Sequence, residues 1–390
     1  MGSASPHRAP LARVADGGRG AGGSGEMTPV RHIGLGLGRI RHWHDGLGEF
    51  SRQLGHALAE QAPRLAQEHA WRLHFHLPRR WHGVFGDAVG YLDTDTTQRW
   101  LHVQWPVRGV RFDLWHTLHQ HNRLLAPTGT RRQIETVHDL NFLHAKGPDK
   151  IDRYRRILQR RLQQRDAAIA ITHHVAADLA RELPALATPV RVIHNGATDL
   201  TGVLQTPPAA WVEGPCAAGF LLHISRMAPT KNIEALLALA AAWPEQTLVL
   251  AGASSPYTDT VRRQVAERGL SNVRFHLDLD EGTKAWLYAH CRAFLFPSFA
   301  EGFGLPPIEA MHFGKSVFLS RLTSLPEVGG DVAHYFDGFD GAAMRAVVEA
   351  GLWQDAAPGR ADAIRHHARC FSWTRCAAEY LRLYAERLSG

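Results

Sequence analysis

Short apolar runs of strand length alternate with longer amphipathic stretches along most of this chain, and that rhythm constrains its fold more than any other feature. A strand, a crossover helix and a second strand form the repeating unit of an open parallel sheet. In the first half Ile33–Leu37, Arg72–His76, Leu114–His116, Ile134–His138, Ala167–Ile171 and Val190–His194 read as strands, with a helix from about Gly48 to Glu60. The rhythm breaks over Asn195–Gly219, where Gly, Thr, Pro207, Pro208 and Pro215 follow no period. It restarts with strand Phe220–Ser225, helix Asn232–Ala242, strand Thr247–Ala251, helix Thr258–Arg268, strand Val273–Leu277, helix Thr283–His290 and strand Ala293–Pro297. No repeat recurs every 20–50 residues, which excludes a solenoid. The fold class expected is α/β, two doubly wound Rossmann-like domains with a cleft between their strand ends. A chain of 390 residues is long enough for two such cores.

Composition narrows the setting. The chain is 45% hydrophobic and 21% charged, as in a water-soluble globular protein, and no apolar run approaches the ~20 residues that cross a bilayer. Residues 1–29 are rich in Gly, Ala, Arg and Ser without the apolar core of a signal peptide, so they read as a disordered leader, or as residues upstream of a start at Met27. Cys216, Cys291, Cys370 and Cys376 form no C-x-x-C pair, which argues for a reducing compartment and against a disulfide framework. The expected location is cytoplasmic. A net charge of +7 suits nucleic acid, anionic lipid or phosphorylated substrates alike. The 25 histidines are scattered, with no H-E-x-x-H, and are read as polar packing rather than metal ligands.

Two constellations carry chemistry. In Ser298-Phe299-Ala300-Glu301-Gly302-Phe303-Gly304-Leu305-Pro306-Pro307-Ile308-Glu309 a strand ends, a glycine-containing loop follows and a helix begins near Pro306. Amides of that first turn, approached closely past Gly302 and Gly304, make an anion site. Glu301 and Glu309 can then bind hydroxyls at either end of a nucleotide sugar; alternatively Glu309 only complements the helix dipole. In Ser225-Arg226-Met227-Ala228-Pro229-Thr230-Lys231-Asn232 two cations five residues apart at a strand end can clamp a diphosphate, or can be solvated charges on an ordinary loop. The first half adds Asp45-Gly46-Leu47-Gly48-Glu49-Phe50 and Val137-His138-Asp139-Leu140-Asn141; a lone G-x-G is weak, and His138 should face the cleft from its strand end.

In this order the blocks resemble glycosyltransferase family 4, retaining enzymes of GT-B fold, with motifs closest to bacterial mannosyltransferases. Glu301 and Glu309 match its E-x7-E signature, Arg226 and Lys231 its R-x4-K pair, Gly46 to Phe50 its G-[IL]-G-x-[YF] loop and His138-Asp139-Leu140 its HDL. Val192-Ile193-His194-Asn195-Gly196 resembles V-I-P-N-G with His194 where proline is usual, and Ser324-Leu325-Pro326-Glu327-Val328 resembles S-x-P-E-V. The resemblance covers about residues 30–388, although the Trp81–Trp105 region matches nothing. It implies an acceptor-side domain over 30–196, a linker over 197–218, a donor-side domain over 219–370, and a helix over 371–390 that opens with Phe371-Ser372-Trp373 and crosses back.

The resemblance further implies that Arg226 and Lys231 hold the donor diphosphate, Glu301 contacts the sugar, His138 sits beside it near C6, and Glu309 takes the ribose. Gly302, Phe303, Gly304 and Leu305 line the donor with Gly252, Gly46 and Gly48, while Asp139 and Asn141 face the acceptor. The partners expected are a nucleotide sugar, first GDP-mannose and then UDP-hexoses, and a glycan or lipid-linked acceptor of bacterial surface polysaccharide or lipopolysaccharide. No cofactor, divalent metal or nucleic-acid partner is expected. Asp93-Thr94-Asp95 and Asp278-Leu279-Asp280 spell D-x-D, a metal motif of the other major glycosyltransferase fold, but lack its surroundings. Lys150 to Arg165 holds seven basic residues in sixteen, with Ile151, Tyr154, Leu158 and Leu162 at helical spacing, and reads either as an anionic-lipid docking face or as a solvated helix. The competing readings are another GT-B enzyme, such as an epimerase or phosphorylase, and a basic nucleic-acid binder; the basic residues are not interleaved with aromatics as in a recognised nucleic-acid module.

Overall fold

The structure, a computed structural model, describes residues 29–38, 40, 43, 46–97, 104–107, 109–145, 147–208 and 219–389. The expected leader, but for Pro29, lies outside them, as do His42, His44, Asp45, residues 98–103 of the Trp81–Trp105 region, Cys216 and residues 209–218 of the expected linker.

The first lobe holds β1 (Arg31–Gly36), α1 (Gly46–His69), β2 (Trp71–Leu77), β3 (Gly90–Asp93), α2 (Thr94–Thr97), β4 (Leu114–Thr117) and β5 (Arg132–Val137). It continues through α3 (Phe142–Ala145), α4 (Pro148–Leu162), β6 (Ala167–Ala170), α5 (His173–Glu182) and β7 (Val190–Val192). The second lobe holds β8 (Phe220–Ile224), α6 (Ile233–Ala242), β9 (Leu248–Gly252), α7 (Pro256–Glu267), β10 (Val273–Leu277), α8 (Glu281–His290) and β11 (Cys291–Phe296). Then come α9 (Leu305–His312), β12 (Ser316–Ser320), α10 (Leu325–Gly329), β13 (His334–Phe336), α11 (Gly341–Asp355) and α12 (Arg360–Ala368), before α13 (Trp373–Ser389).

All paired strands run parallel, in the orders β3-β2-β1-β4-β5-β6-β7 and β10-β9-β8-β11-β12-β13. Their central strands are largely buried because helices cover both faces: every residue of β8, Phe-Leu-Leu-His-Ile, is buried, as is every residue of β4. This is the GT-B arrangement of two Rossmann-like halves. Three strands were not anticipated: β3, whose four residues are all half-buried, β12 and β13. Helix α1 also departs from expectation. It spans 24 residues rather than ending near Glu60, and it begins at Gly46, so Gly46 and Gly48 form its first turn instead of a preceding loop.

Helix α13 packs on the first lobe, with Cys376, Ala377, Tyr380, Leu383 and Tyr384 in one core with Ile33, Phe50, Leu114 and Ile134. Tyr384 shares a 2.6 Å hydrogen bond with His116 Nδ1, and Tyr380 one of 3.1 Å with Thr136. A second core runs through both lobes, joining Val137, Leu140 and Leu179 to Phe303, Ile308 and Leu325.

Helix α4 divides its basic residues between ion pairs and solvent. Arg155 pairs with Glu182 and Asp152, Arg161 with Glu135, and buried Arg165 with buried Glu135, while Lys150, Arg153, Arg156 and Arg160 are exposed. Leu158 and Leu162 are buried, whereas Tyr154 and Ile157 are 40% and 52% exposed among those cations.

Candidate active site

Each sheet reverses its strand order once, at β1/β4 and at β8/β11, and open sheets bind ligands beyond the strand ends at such a reversal. The chain leaving β8 carries Arg226 and then Lys231 at the end of a 3-10 turn, and the chain leaving β11 carries Glu301. The reversal brings these loops together, and Phe299 N–H donates to Thr230 O at 2.8 Å. Lys231 Nζ forms an ion pair with Glu301, the two side chains only 20% and 12% exposed, and lies 5.4 Å from the Phe296 ring centroid. Arg226 is exposed, and its guanidinium has no partner among the described residues. The arrangement thus holds one cation already neutralised by a carboxylate and one free.

The loop over 302–305 is shaped by backbone contacts. A Cβ on Gly302 would stand 2.2 Å from the His138 carbonyl oxygen and 3.1 Å from the Asp139 Cβ, so glycine lets the two lobes touch. Thr172 Oγ1 donates to the Gly302 carbonyl at 3.3 Å. Gly304 has φ 109° ahead of α9, Phe303 is buried and Leu305 half-buried. Gly252, φ 124°, packs against the Ser225 carbonyl, which a Cβ would approach to 2.1 Å. Gly46, by contrast, is exposed with open space around it.

Glu309 is 3% exposed on α9. Its Oε1 accepts from Lys284 Nζ at 2.7 Å and its Oε2 from Tyr288 Oη at 2.7 Å, with the Lys284 ammonium also 2.6 Å from Oε2 as an ion pair, so it does more than complement a helix dipole. Nothing in the α8 sequence had singled out Lys284 or Tyr288; their i,i+4 spacing places them on one face of that helix.

His138 is buried and edge-on to Phe50, ring centroids 4.5 Å apart. Its Nε2 lies 2.9 Å from the Leu118 carbonyl, which can only accept, so Nε2 carries the proton and Nδ1 is left as an acceptor. Burial pushes the ring down to about 4, against the pull of that carbonyl. At neutral pH His138 is an uncharged hydrogen-bonding group, not a cation. Asp139 and Asn141 are half-buried, and Asp139 Oδ1 accepts from Asn141 N at 3.0 Å.

A second contact between the lobes centres on Glu327 of α10. It accepts from His173 N (2.8 Å), His174 N (3.1 Å) and His194 Nε2 (2.6 Å). Burial would raise this carboxyl, but the His194 ring and the two amides outweigh it and hold it below its ordinary value. Side-chain ligand atoms of His173, His194 and Glu327 lie within 4.8 Å of one another. Both Glu327 oxygens already serve the start of α5, where the helix dipole opposes a cation, so the trio reads as a clasp between lobes. The histidine in place of the usual proline is what makes this clasp. The α1 helix adds another bridge: Glu49 accepts from Thr198 at 2.7 Å, and Arg52 reaches Glu281 at 3.0 Å.

The D-x-D carboxylates have local duties. Asp93 accepts from Asp95 N, Asp278 from Ser254 N, and Asp280 caps α8 through Thr283 N. An open pocket of about 460 Å³, lined by Ser254, Ser255, Pro256, Thr258, Asp259, Arg262 and Leu277, lies beside the ends of β9 and β10. None of Arg226, Lys231, Glu301 or Glu309 lines it; the converging side chains, rather than this pocket, mark the site.

Residues 217–340 match the family model described as Glycosyl transferases group 1. The chain is 29% identical over 305 residues to O-antigen chain mannosyltransferase B of Escherichia coli, covering 72% of this chain and 76% of that one. It is 36% identical over 168 residues to the serotype-specific mannosyltransferase WbdA of the same organism, a match spanning 40% of this chain and only 20% of the relative. Among solved structures, sucrose-phosphate synthase from Thermosynechococcus elongatus superposes with a TM-score of 0.69 at 20% identity, over 92% of this chain and 99% of that one.

Proposed function

We propose that this chain, a glycosyltransferase of group 1, transfers mannose from GDP-mannose, with retention at the anomeric carbon, to a glycan or lipid-linked acceptor of a bacterial surface polysaccharide. The observation that carries this reading is the Lys231–Glu301 ion pair at the strand reversal of the second sheet, on a loop that also carries the exposed Arg226. Negative charge grows on the leaving diphosphate as the sugar passes through an oxocarbenium-like state, and two cations at that point stabilise it. In the free protein Lys231 is held by Glu301; an incoming diphosphate competes for the ammonium and leaves Glu301 to accept from sugar hydroxyls. Glu309 takes the ribose, and neutral His138 accepts a hydroxyl hydrogen bond on the acceptor side. The mannosyltransferase relatives support mannose over other hexoses.

The test is a thermal-shift panel of nucleotides and nucleotide sugars followed by a transfer assay in excess EDTA. A donor that binds only the native state raises the melting temperature, and the largest rise is expected with GDP or GDP-mannose. Transfer is expected at near full rate in chelator, giving an α-linked product. Activity lost in EDTA and restored by manganese would overturn the handling of the diphosphate by side chains.

Protein at the cytoplasmic membrane face would meet a lipid-linked acceptor directly, and the exposed α4 surface supports peripheral contact there. No helix among the described residues is long and apolar enough to cross a membrane. Arg153, Arg156 and Arg160 flank exposed Tyr154 and Ile157, and a cation near an anionic surface contributes ~1 kcal/mol. Binding to phosphatidylglycerol vesicles is expected to weaken with salt and to fall further when those three arginines become Glu. Binding indifferent to both changes would exclude this surface.

A further inference from the structure

Glu309 is almost wholly buried, yet two hydrogen bonds from its own chain reach its carboxylate, Lys284 Nζ to Oε1 and Tyr288 Oη to Oε2, and the same ammonium lies 2.6 Å from Oε2 as an ion pair. A carboxylate offers about four acceptor positions; Tyr288 fills one on Oε2, and the Lys284 ammonium lies against both oxygens. A ribose diol brings two O–H donors and has to share those oxygens with the ammonium that lies against both. The two partners differ in their freedom to yield. Tyr288 is fully buried, packed against Phe294 and Phe313, and its hydroxyl is held protonated by burial and by Glu309. Lys284 is 27% exposed on a flexible stem, its ammonium 6.0 Å from the Tyr288 ring centroid.

We propose that Lys284 is the positioning residue for ribose recognition: it holds the Glu309 carboxylate oriented in the free protein, and gives up one oxygen when a nucleotide's diol arrives. Tyr288 is the fixed partner and Lys284 the exchangeable one. The chemistry selected is a vicinal diol, hence a ribonucleotide over its 2′-deoxy counterpart. This rests on the reading of Glu309 as the ribose ligand.

The test needs no acceptor. Calorimetric titration of the full chain with GDP and with 2′-deoxy-GDP measures the ribose preference directly, and UDP and 2′-deoxy-UDP replace them if the donor panel selects UDP. Wild type is expected to favour the ribonucleotide by roughly 10–100-fold, the range for a hydrogen bond to a charged group. In Lys284→Met the preference should shrink to about threefold or less, and Lys284→Arg should restore part of it. A purely structural role would lower the melting temperature and weaken both nucleotides equally, leaving the ratio unchanged. A folded Lys284→Met with the wild-type ratio overturns the inference alone. A wild type that binds neither nucleotide, or both equally, overturns the ribose reading of Glu309 as well. Should Lys284→Met not fold, Lys284→Gln, which keeps a donor but no charge, carries the same comparison.

Discussion

Lys231→Ala is expected to lower turnover by roughly 10²–10³-fold while leaving the donor KM within a few-fold of wild type. In the proposed reaction the leaving diphosphate gathers charge at the strand reversal where this ammonium lies, so its contribution should be larger in the transition state than in the ground state. Glu309→Ala is expected to do the reverse, raising the donor KM with a smaller change in turnover, because ribose contacts differ little along the reaction. A stability-only account makes a different claim. Lys231 and Glu301 form a largely buried pair, and removing the cation leaves Glu301 without its counter-charge. Stability should therefore fall in Lys231→Ala, and the double variant Lys231→Ala/Glu301→Gln should recover much of it. Turnover should not recover, since no cation returns to the diphosphate. Steady-state kinetics beside thermal melts on folded variants separates the two effects, and wild-type turnover in Lys231→Ala with a competent donor would remove the basis of the proposed function.

The same pair indicates how much of the site was readable in advance. Arg226, Lys231 and Glu301 follow strand ends and Glu309 lies on the helix after the last of those loops, and the strand rhythm located those ends within a residue or two because every residue of β8 and nearly all of β11 is buried, with His223 the only polar side chain of β8. Edge strands gave less signal: β13 has three residues and one buried side chain, and β3 has none. What local pattern could not supply was the partner of each side chain. Glu327 stood in a recognised block, yet its docking on α5 and His194 joins residues 133 to 154 positions away. Lys284 and Tyr288 precede Glu309 by 25 and 21 residues on another helix, with only a shared face to connect them. The partners of the basic run were hidden for the same reason, since Glu135 and Glu182, which take Arg155, Arg161 and Arg165, lie on β5 and α5.

The histidines carry the other large expectation, which is cooperative acid unfolding near pH 5. His76, His116, His138 and His223 are buried in the first and second lobes, and burial pushes them down to about 3, 3, 4 and 4. Each hydrogen-bonds as a neutral ring: His116 between Tyr384 and Thr136, His223 between the Leu295 carbonyl and Ser225, His138 on the Leu118 carbonyl, and His76 through Nε2 on Thr97, its buried Nδ1 having no partner among the described residues. In the unfolded chain these rings titrate near 6.5. Between about pH 6.5 and 4 the unfolded state therefore binds more protons than the native state, and stability falls as pH falls. The loss is roughly 1.4 kcal/mol per pH unit for each histidine, so four together remove about 5 kcal/mol over the unit below pH 6, comparable to the whole stability of many domains. Urea melts from pH 7.5 to 5 should show this slope. His223→Gln, which keeps a donor and an acceptor but cannot titrate in this range, should cost some stability at pH 7.5 and shallow the slope by about one proton. Stability that stays level from pH 7 to 5 would mean that these rings are not held neutral in the native state.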